Sequence, residues 1–416
     1  MNRHSIFSKL FLTVLLLSGT VPVLQAQNTL LKKRPNIALS IPNDWKTSSP
    51  QKNYFNLGLM SNYQNLNGAS FNIFSDIALQ KTSGFQVSGL VNITGIRSSG
   101  FQVAGLANVA GIKSHGLRVA GLFNISGRSA YGFQFSGLGN ISGDNLKGAM
   151  FSGLLNMSSI QMKGLMLAGL ANIAGSEQRG LAIGGFMNVS SSDMKGVQFS
   201  SLMNITGNRN YGLQLSPVSN ISVNNKGVQI GALANFSANN QGLQVGTVNI
   251  SNKGKKGVQT GIININGDSC ARQIGLINIK PGTRTQMIIS GGNINKTNVG
   301  IRFKNKYIYT QLGAGAYYGD FNKLAISATY RTGLSFPLVK NKLFLNTDIG
   351  YSHIETLNNK DVPDRLYAIQ PKIGLEYNPL KKFGVFFSGG YSWTRTYKNG
   401  TSYSKDPIIE AGIILF

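Results

Sequence analysis

The sequence predicts an all-β fold in which 16-residue, one-strand repeats build most of an antiparallel membrane-spanning β-barrel. The alternative is a parallel β-solenoid followed by a C-terminal barrel. Three observations lead there. Glycine recurs sixteen residues apart from Gly84 to Gly212. Inside each unit, apolar and polar residues alternate with period two, which is the pattern of a strand. Beyond the leader no stretch is long and apolar enough for a membrane helix, so a mature chain that enters a membrane must do so as a closed barrel.

Composition narrows the function classes. With 42% hydrophobic residues the chain has enough apolar side chains to fold, and its 51 glycines follow no collagen period. One cysteine and three histidines leave no disulfide framework, no cysteine-based zinc site and no histidine-rich metal centre. No cofactor or metal is expected.

Residues 1–26 read as a secretory signal: Arg3, His4 and Lys9 open it, Leu10 to Leu17 form the apolar stretch, and Leu24-Gln25-Ala26 ends it. The apolar run is about half the ~20 residues a membrane anchor needs, so export is expected. Residues 27–51 form an N-terminal segment, 52–283 the repeat region and 284–416 a set of C-terminal barrel strands.

The repeat unit is close to G-[FLV]-Q-V-[SA]-G-L-x-N-I-[ST]-G followed by about four polar residues. In the first clear copy Phe85, Val87, Gly89, Val91 and Ile93 share one face, and Gln86, Ser88, Leu90, Asn92 and Thr94 share the other. A ten-residue strand tilted about 45° covers roughly 23 Å, close to the apolar band of a membrane barrel. The apolar face varies in size, which lipid tolerates. The unit is nearly palindromic, so antiparallel pairing of Gly89 with Gly105 would set Gln86 opposite Asn108 and Asn92 opposite Gln102. Gln86, Asn92, Gln102, Asn108, Asn124 and Asn140 are therefore the candidate lumen-facing or ladder positions.

The solenoid alternative requires a sharp bend at Ser88-Gly89, because the remaining six residues cannot return over a straight ten-residue strand. In that fold the recurring leucine and asparagine would both stack as internal ladders. The uniformly short segments Ile96–Ser99, Ile112–His115 and Arg128–Tyr131 also fit a barrel poorly, since barrels alternate short turns with long loops.

The C-terminal third alternates as barrel strands do. Ile373, Leu375 and Tyr377 interleave with Lys372, Gly374 and Glu376, and Phe383 to Trp393 behaves likewise. A strand ending on phenylalanine, here Pro407–Phe416, resembles the closing strand of bacterial outer-membrane proteins. That resemblance implies recognition of Phe416 by the barrel-assembly machinery. The segments around Lys372–Asn378 and Phe383–Trp393 resemble small outer-membrane barrels of Gram-negative envelopes. The G-x-Q-x-x-G-L-x-N units are similar to glycine-rich surface-repeat proteins of such bacteria, a class that brings no known activity.

Motifs for chemistry are sparse. The Asn-x-Ser/Thr triplets, such as Asn92-Ile93-Thr94, lie inside strands at a structural period and not in the surface loops that glycosylation needs. Calcium-binding glycine repeats need aspartates, yet residues 84–283 hold only Asp144, Glu177, Asp193 and Asp268. Ser352, His353 and Glu355 could suggest a lipid hydrolase, but on a strand Ser352 and His353 point to opposite faces. No enzyme is expected. Basic residues such as Arg97, Lys113, Lys147 and Lys163 sit between the repeat strands, and the formal net charge is +26. They suit solubilising loops, or contact with anionic lipid and lipopolysaccharide. Nucleic acid is not an expected partner of an exported chain without a nucleic-acid module. The expected role is therefore a structural or pore-like outer-membrane barrel; the alternative is a surface-exposed solenoid adhesion module anchored by a barrel.

Overall fold

The computed structural model describes residues 36–40, 52–254, 256–316, 325–340, 342–357, 363–398, 400 and 402–416. The expected signal at 1–26 and most of the segment 27–51 lie outside the described residues. The described part is all β: a parallel β-solenoid of about 13 turns, then a closed antiparallel barrel of eight strands. The repeats are thus solenoid coils and not barrel strands, which corrects the first architecture in favour of the alternative.

The reason lies in three corners per coil. In one coil Phe101 to Ala104 form the first side, Gly105-Leu106 the first corner and Ala107–Ala110 the second side. Gly111-Ile112 turn the chain again, and Lys113 to His115 form the third side before the bend at Gly116. The four polar residues read as an inter-strand loop are therefore strand themselves. They close the coil in sixteen residues, so each unit stacks on the next in parallel and in register.

Gly116 shows why glycine holds the third corner. Its φ is 114°, a region that side chains disfavour, and an added Cβ would strike the carbonyl oxygen of Gly100 in the coil below. The same glycine column runs from Gly84 through Gly196 with positive φ throughout.

The barrel strands are Arg284–Gly292, Thr297–Lys304, Ile308–Ala316, Ala325–Val339, Leu343–Thr356, Arg365–Leu380, Phe383–Thr396 and Ser402–Leu415, with the first paired to the last. Their outer face is apolar: Ile301, Ile349, Ile373, Leu375 and Phe387 all stand exposed on it. Their inner face is polar and filled, as the width of an eight-stranded barrel dictates. Glu376 accepts from Arg302 and Lys304 at 2.9 Å each, and Arg331 meets Asp348 at 2.6 Å. Lys372 pairs with Glu410. Ile294, Ala325, Ile354, Leu366, Ala368 and Ile408 pack together as a further interior cluster.

Replacing Gly116 with alanine imposes both the disfavoured φ and the clash with a backbone carbonyl. The expected cost is at least about 2 kcal/mol. Denaturant unfolding of Gly116→Ala against wild type measures it, and an unchanged midpoint would contradict the stacked corner.

Candidate functional site: amide ladders inside, apolar sides outside

Each coil aims its polar residues inward. Parallel, in-register stacking sets Gln86 beside Gln102 and Asn92 beside Asn108, not Gln against Asn as the antiparallel reading supposed. The near-palindrome of the unit hid the strand direction. Asn92 Nδ2 donates to Asn108 Oδ1 at 2.8 Å, Asn108 to Asn124 at 3.0 Å and Asn124 to Asn140 at 2.9 Å. The column continues coil by coil to Asn278. From Asn92 to Asn264 a second donation goes to a backbone carbonyl ten or eleven residues on, as from Asn92 to Val103 O at 2.7 Å, Asn108 to Val119 O at 2.8 Å and Asn220 to Ile230 O at 2.8 Å. Each of these asparagines thereby ties its own coil to the next one just before the first corner, whereas Asn278 in the last coil donates back to Gly275 O at 2.8 Å. Gln86, Asn92, Gln102, Asn108, Asn124 and Asn140 are all fully buried, and they line no water-filled lumen.

The glutamine column is less regular. Gln102 Nε2 donates to Gln86 Oε1 at 2.5 Å, and an unbroken run from Gln198 to Gln273 repeats the contact near 2.9–3.0 Å. Between them the column holds Arg118, Gln134, Met150, Met166 and Ala182. The methionines pack with Ala130, Leu146 and Met162 into a short apolar core.

Arg118 is a fully buried cation, and among the described residues no carboxylate pairs with it. Its Nε donates to Gln102 Oε1 at 3.1 Å and its Nη1 to Ser114 and Ser126 hydroxyls at 3.1 and 3.0 Å. Nη2 donates to the carbonyls of Asn108 and, at 3.2 Å, Ile125. Burial pulls its pKa down to about 9, so it stays protonated at neutral pH. The next residue in the column, Gln134, has a partner for neither amide atom. Sequence reasoning passed over Arg118. The signal was there, since it alone puts a charge where neighbouring coils carry an inward glutamine.

The coil before the ladder's first asparagine carries an acid in the same column. Asp76 stands one coil before Asn92 and accepts from the hydroxyls of Ser61, at 2.9 Å, and of Tyr63. Burial raises its pKa above the usual carboxylate range, against the lowering effect of the Ser70, Tyr63 and Ser61 hydroxyls.

The outer surface is inverted relative to an ordinary globular domain. Phe85 and Phe133 are each 57% exposed on the first side. The recurring leucine, expected as an internal ladder, instead stands outside at the first corner: Leu106 is 42% exposed and Leu170 45%. The Gly-Leu corner turns the chain from the first side to the second, which carries the leucine off the inward row. Phe135 and Phe151 stack at 4.7 Å along a shallow groove on the first side.

The third side is polar and basic. Lys147 stacks on Lys163, and Lys163 on Arg179, in adjacent coils, and these residues belong to strands and not to loops. Glu177 accepts from Arg179 at 2.8 Å and from Lys195 at 3.1 Å, and these contacts hold its carboxyl below the usual range.

In the barrel, Ser352 lies inside and donates to Gln370 at 3.3 Å, whereas His353 lies outside against the Tyr397 hydroxyl at 2.9 Å. Glu355 meets Arg365. The three residues do not converge. Phe416 is half-buried and donates its backbone N–H to Lys382 O at 3.2 Å. Cys270 is exposed. No protein-family model matches the chain, and no curated protein is significantly similar to it.

Two substitutions separate the ladder's parts. Arg118→Gln removes a buried charge and lets Gln102 and Gln134 join one column, so stability should rise by about 1–3 kcal/mol and the unfolding midpoint with it. A lower midpoint would mean that the guanidinium's hydrogen bonds outweigh its burial. Asp76 binds its proton more tightly folded than unfolded, so its contribution to stability is full at acid pH and is lost as pH rises through the raised value. Asp76→Asn should therefore be more stable than wild type near neutral pH and indistinguishable from it near pH 3, about the bottom of the carboxylate range. Unfolding curves at the two pH values check this.

Proposed function

We propose that this is an exported outer-membrane protein, anchored by its C-terminal barrel and acting through the solenoid as a non-catalytic binding module. The observation that carries the reading is a closed eight-stranded barrel, apolar outside and filled inside, continuous in sequence with the solenoid. Isoleucine, leucine and phenylalanine on the outer wall suit acyl chains, and the interior ion pairs need no water-filled channel. A pore would need open space. A cavity between Arg302, Lys372 and Glu410 holds about 30 Å³, room for a water or two.

The reading takes outer-membrane lipid and the barrel-assembly machinery as partners, the latter through Phe416 and its strand. It also places the chain with the outer-membrane proteins carrying glycine-rich repeats, on the strength of the repeat and barrel strands. No catalytic role is proposed, because Ser352 and His353 face opposite sides of the barrel wall.

Expression of the full chain in a Gram-negative host tests the proposal. The protein should fractionate with the outer membrane and resist carbonate extraction. The purified protein should lose its fold and gel mobility on heating in detergent, and should give no steady conductance in a planar bilayer. Recovery as a soluble periplasmic protein would refute the anchor; reproducible single-channel steps would restore the pore.

A further inference from the structure

The outside of the solenoid is divided lengthwise by chemistry. From Phe85 to Ile265 the outward positions of the first side, the first corner and the second side carry no charged residue. The third side carries the basic residues, among them Arg97, Lys113, Lys147, Lys163, Arg179 and Lys195. The two apolar sides meet at the column of Leu90, Leu106, Leu122, Leu138, Leu154 and Leu170. The coil stack is therefore a wedge, with an apolar edge and a cationic back.

The twelve coils from Phe85 to Ile265, at about 4.8 Å each, make an apolar strip about 60 Å long. Two sides of about 13 Å each make its area roughly 1,500 Å², far beyond the few hundred Å² of contiguous apolar surface that a free soluble surface tolerates, so something covers it. Three observations identify lipid. The outward positions vary without pattern: Val91, Ala107, Phe123, Gly139, Leu155 and Ala171 follow one another up one column, while the inward asparagine beside them never changes. Fluid acyl chains fill such an uneven surface; a protein partner would have to match its shape. The cationic back complements anionic headgroups.

The third observation is the join to the barrel. Tyr330 sits on the outer wall, in register with Leu312 and Tyr351 near the middle of their strands. Its hydroxyl donates to Gly275 O, in the last corner of the solenoid, at 3.4 Å. The solenoid thus reaches its barrel at the level of the apolar wall.

A strip of about 60 Å cannot stand across a hydrocarbon core of about 30 Å. One four-residue side spans about 13 Å, the depth of one leaflet. The connections also fix which leaflet. At the end where the solenoid enters, the strand-to-strand connections have three, three and two residues. At the other end they have four, eight, eight and five. Outer-membrane barrels keep their short turns on the periplasmic side.

We propose that the solenoid is a lipid-binding wedge that lies along the periplasmic leaflet beside its own barrel, with the leucine edge among phospholipid acyl chains and the basic side at the headgroups. This rests on the barrel spanning the outer membrane, and the test keeps the two apart.

In a Cys270→Ser background, a polarity-sensitive fluorophore is attached at Leu122→Cys or Leu170→Cys on the edge, at Lys163→Cys on the back, and at Ile373→Cys on the barrel wall. The full-length protein is reconstituted in vesicles of phosphatidylethanolamine and phosphatidylglycerol, with and without acyl-chain nitroxide lipids. The expected result is blue-shifted emission and strong nitroxide quenching at both edge positions and at Ile373→Cys, with neither at Lys163→Cys. Quenching at Ile373→Cys alone overturns the wedge and leaves the anchor standing. No quenching at any position overturns both. A blue-shifted but unquenched edge means a second copy of the chain covers it, which also overturns the wedge. In intact cells a membrane-impermeant maleimide should label Lys163→Cys only after the outer membrane is permeabilised. Labelling without permeabilisation would put the solenoid on the other face and overturn the leaflet assignment.

Discussion

Everything in the solenoid follows from a side-chain amide that must find partners in a dry interior. A buried amide left without partners costs about 1–3 kcal/mol per group, and an identical amide one coil away satisfies it at no change in geometry. Asn92 to Asn278 use that solution repeatedly, and the donation to the next coil's carbonyl adds a tie between coils. Parallel in-register stacking sets each asparagine from Asn92 on beside an asparagine of the next coil. The glycine corners and the three-sided coil serve it, since any side chain at Gly116 would push the coils apart. The first loss of a residue from the period falls at the second corner, between Thr206 and Arg209, and leaves Asn204 paired with Asn220.

With the polar groups committed to one another inside, the apolar side chains are left for the outside. The barrel obeys the same economy by different means. Its inner face is closed by ion pairs centred on Glu376, and its outer face is apolar. Two unlike architectures in one chain therefore present the same kind of surface. That likeness is a stronger link between them than any sequence similarity, because it means one environment can satisfy both.

Much of this was legible in the sequence. The period of sixteen, the strand alternation, the inward set of Gln86, Asn92 and their successors, and the barrel strands around Lys372–Asn378 all follow from spacing and polarity. The pairing direction did not. A unit that reads nearly the same both ways gives antiparallel and parallel pairing equally sensible partners, and only closure of the coil decides. That closure depended on Lys113 to His115, whose charge made a strand look like a loop. The leucine at 106 was misplaced for a related reason: period two assigns faces along a straight strand and cannot see that a turn has intervened. Arg118 was missed because a lone arginine among surface cations looks ordinary until its column is known.

The regular stack also makes the molecule a ruler. Because the asparagine column bonds one coil to the next in the same way as to the last, a coil inserted or deleted in the middle would restore every asparagine contact on rejoining. Its length could then change in steps of about 4.8 Å with no redesign of the barrel. Selection acting on such a chain would read out reach as a whole number of repeats.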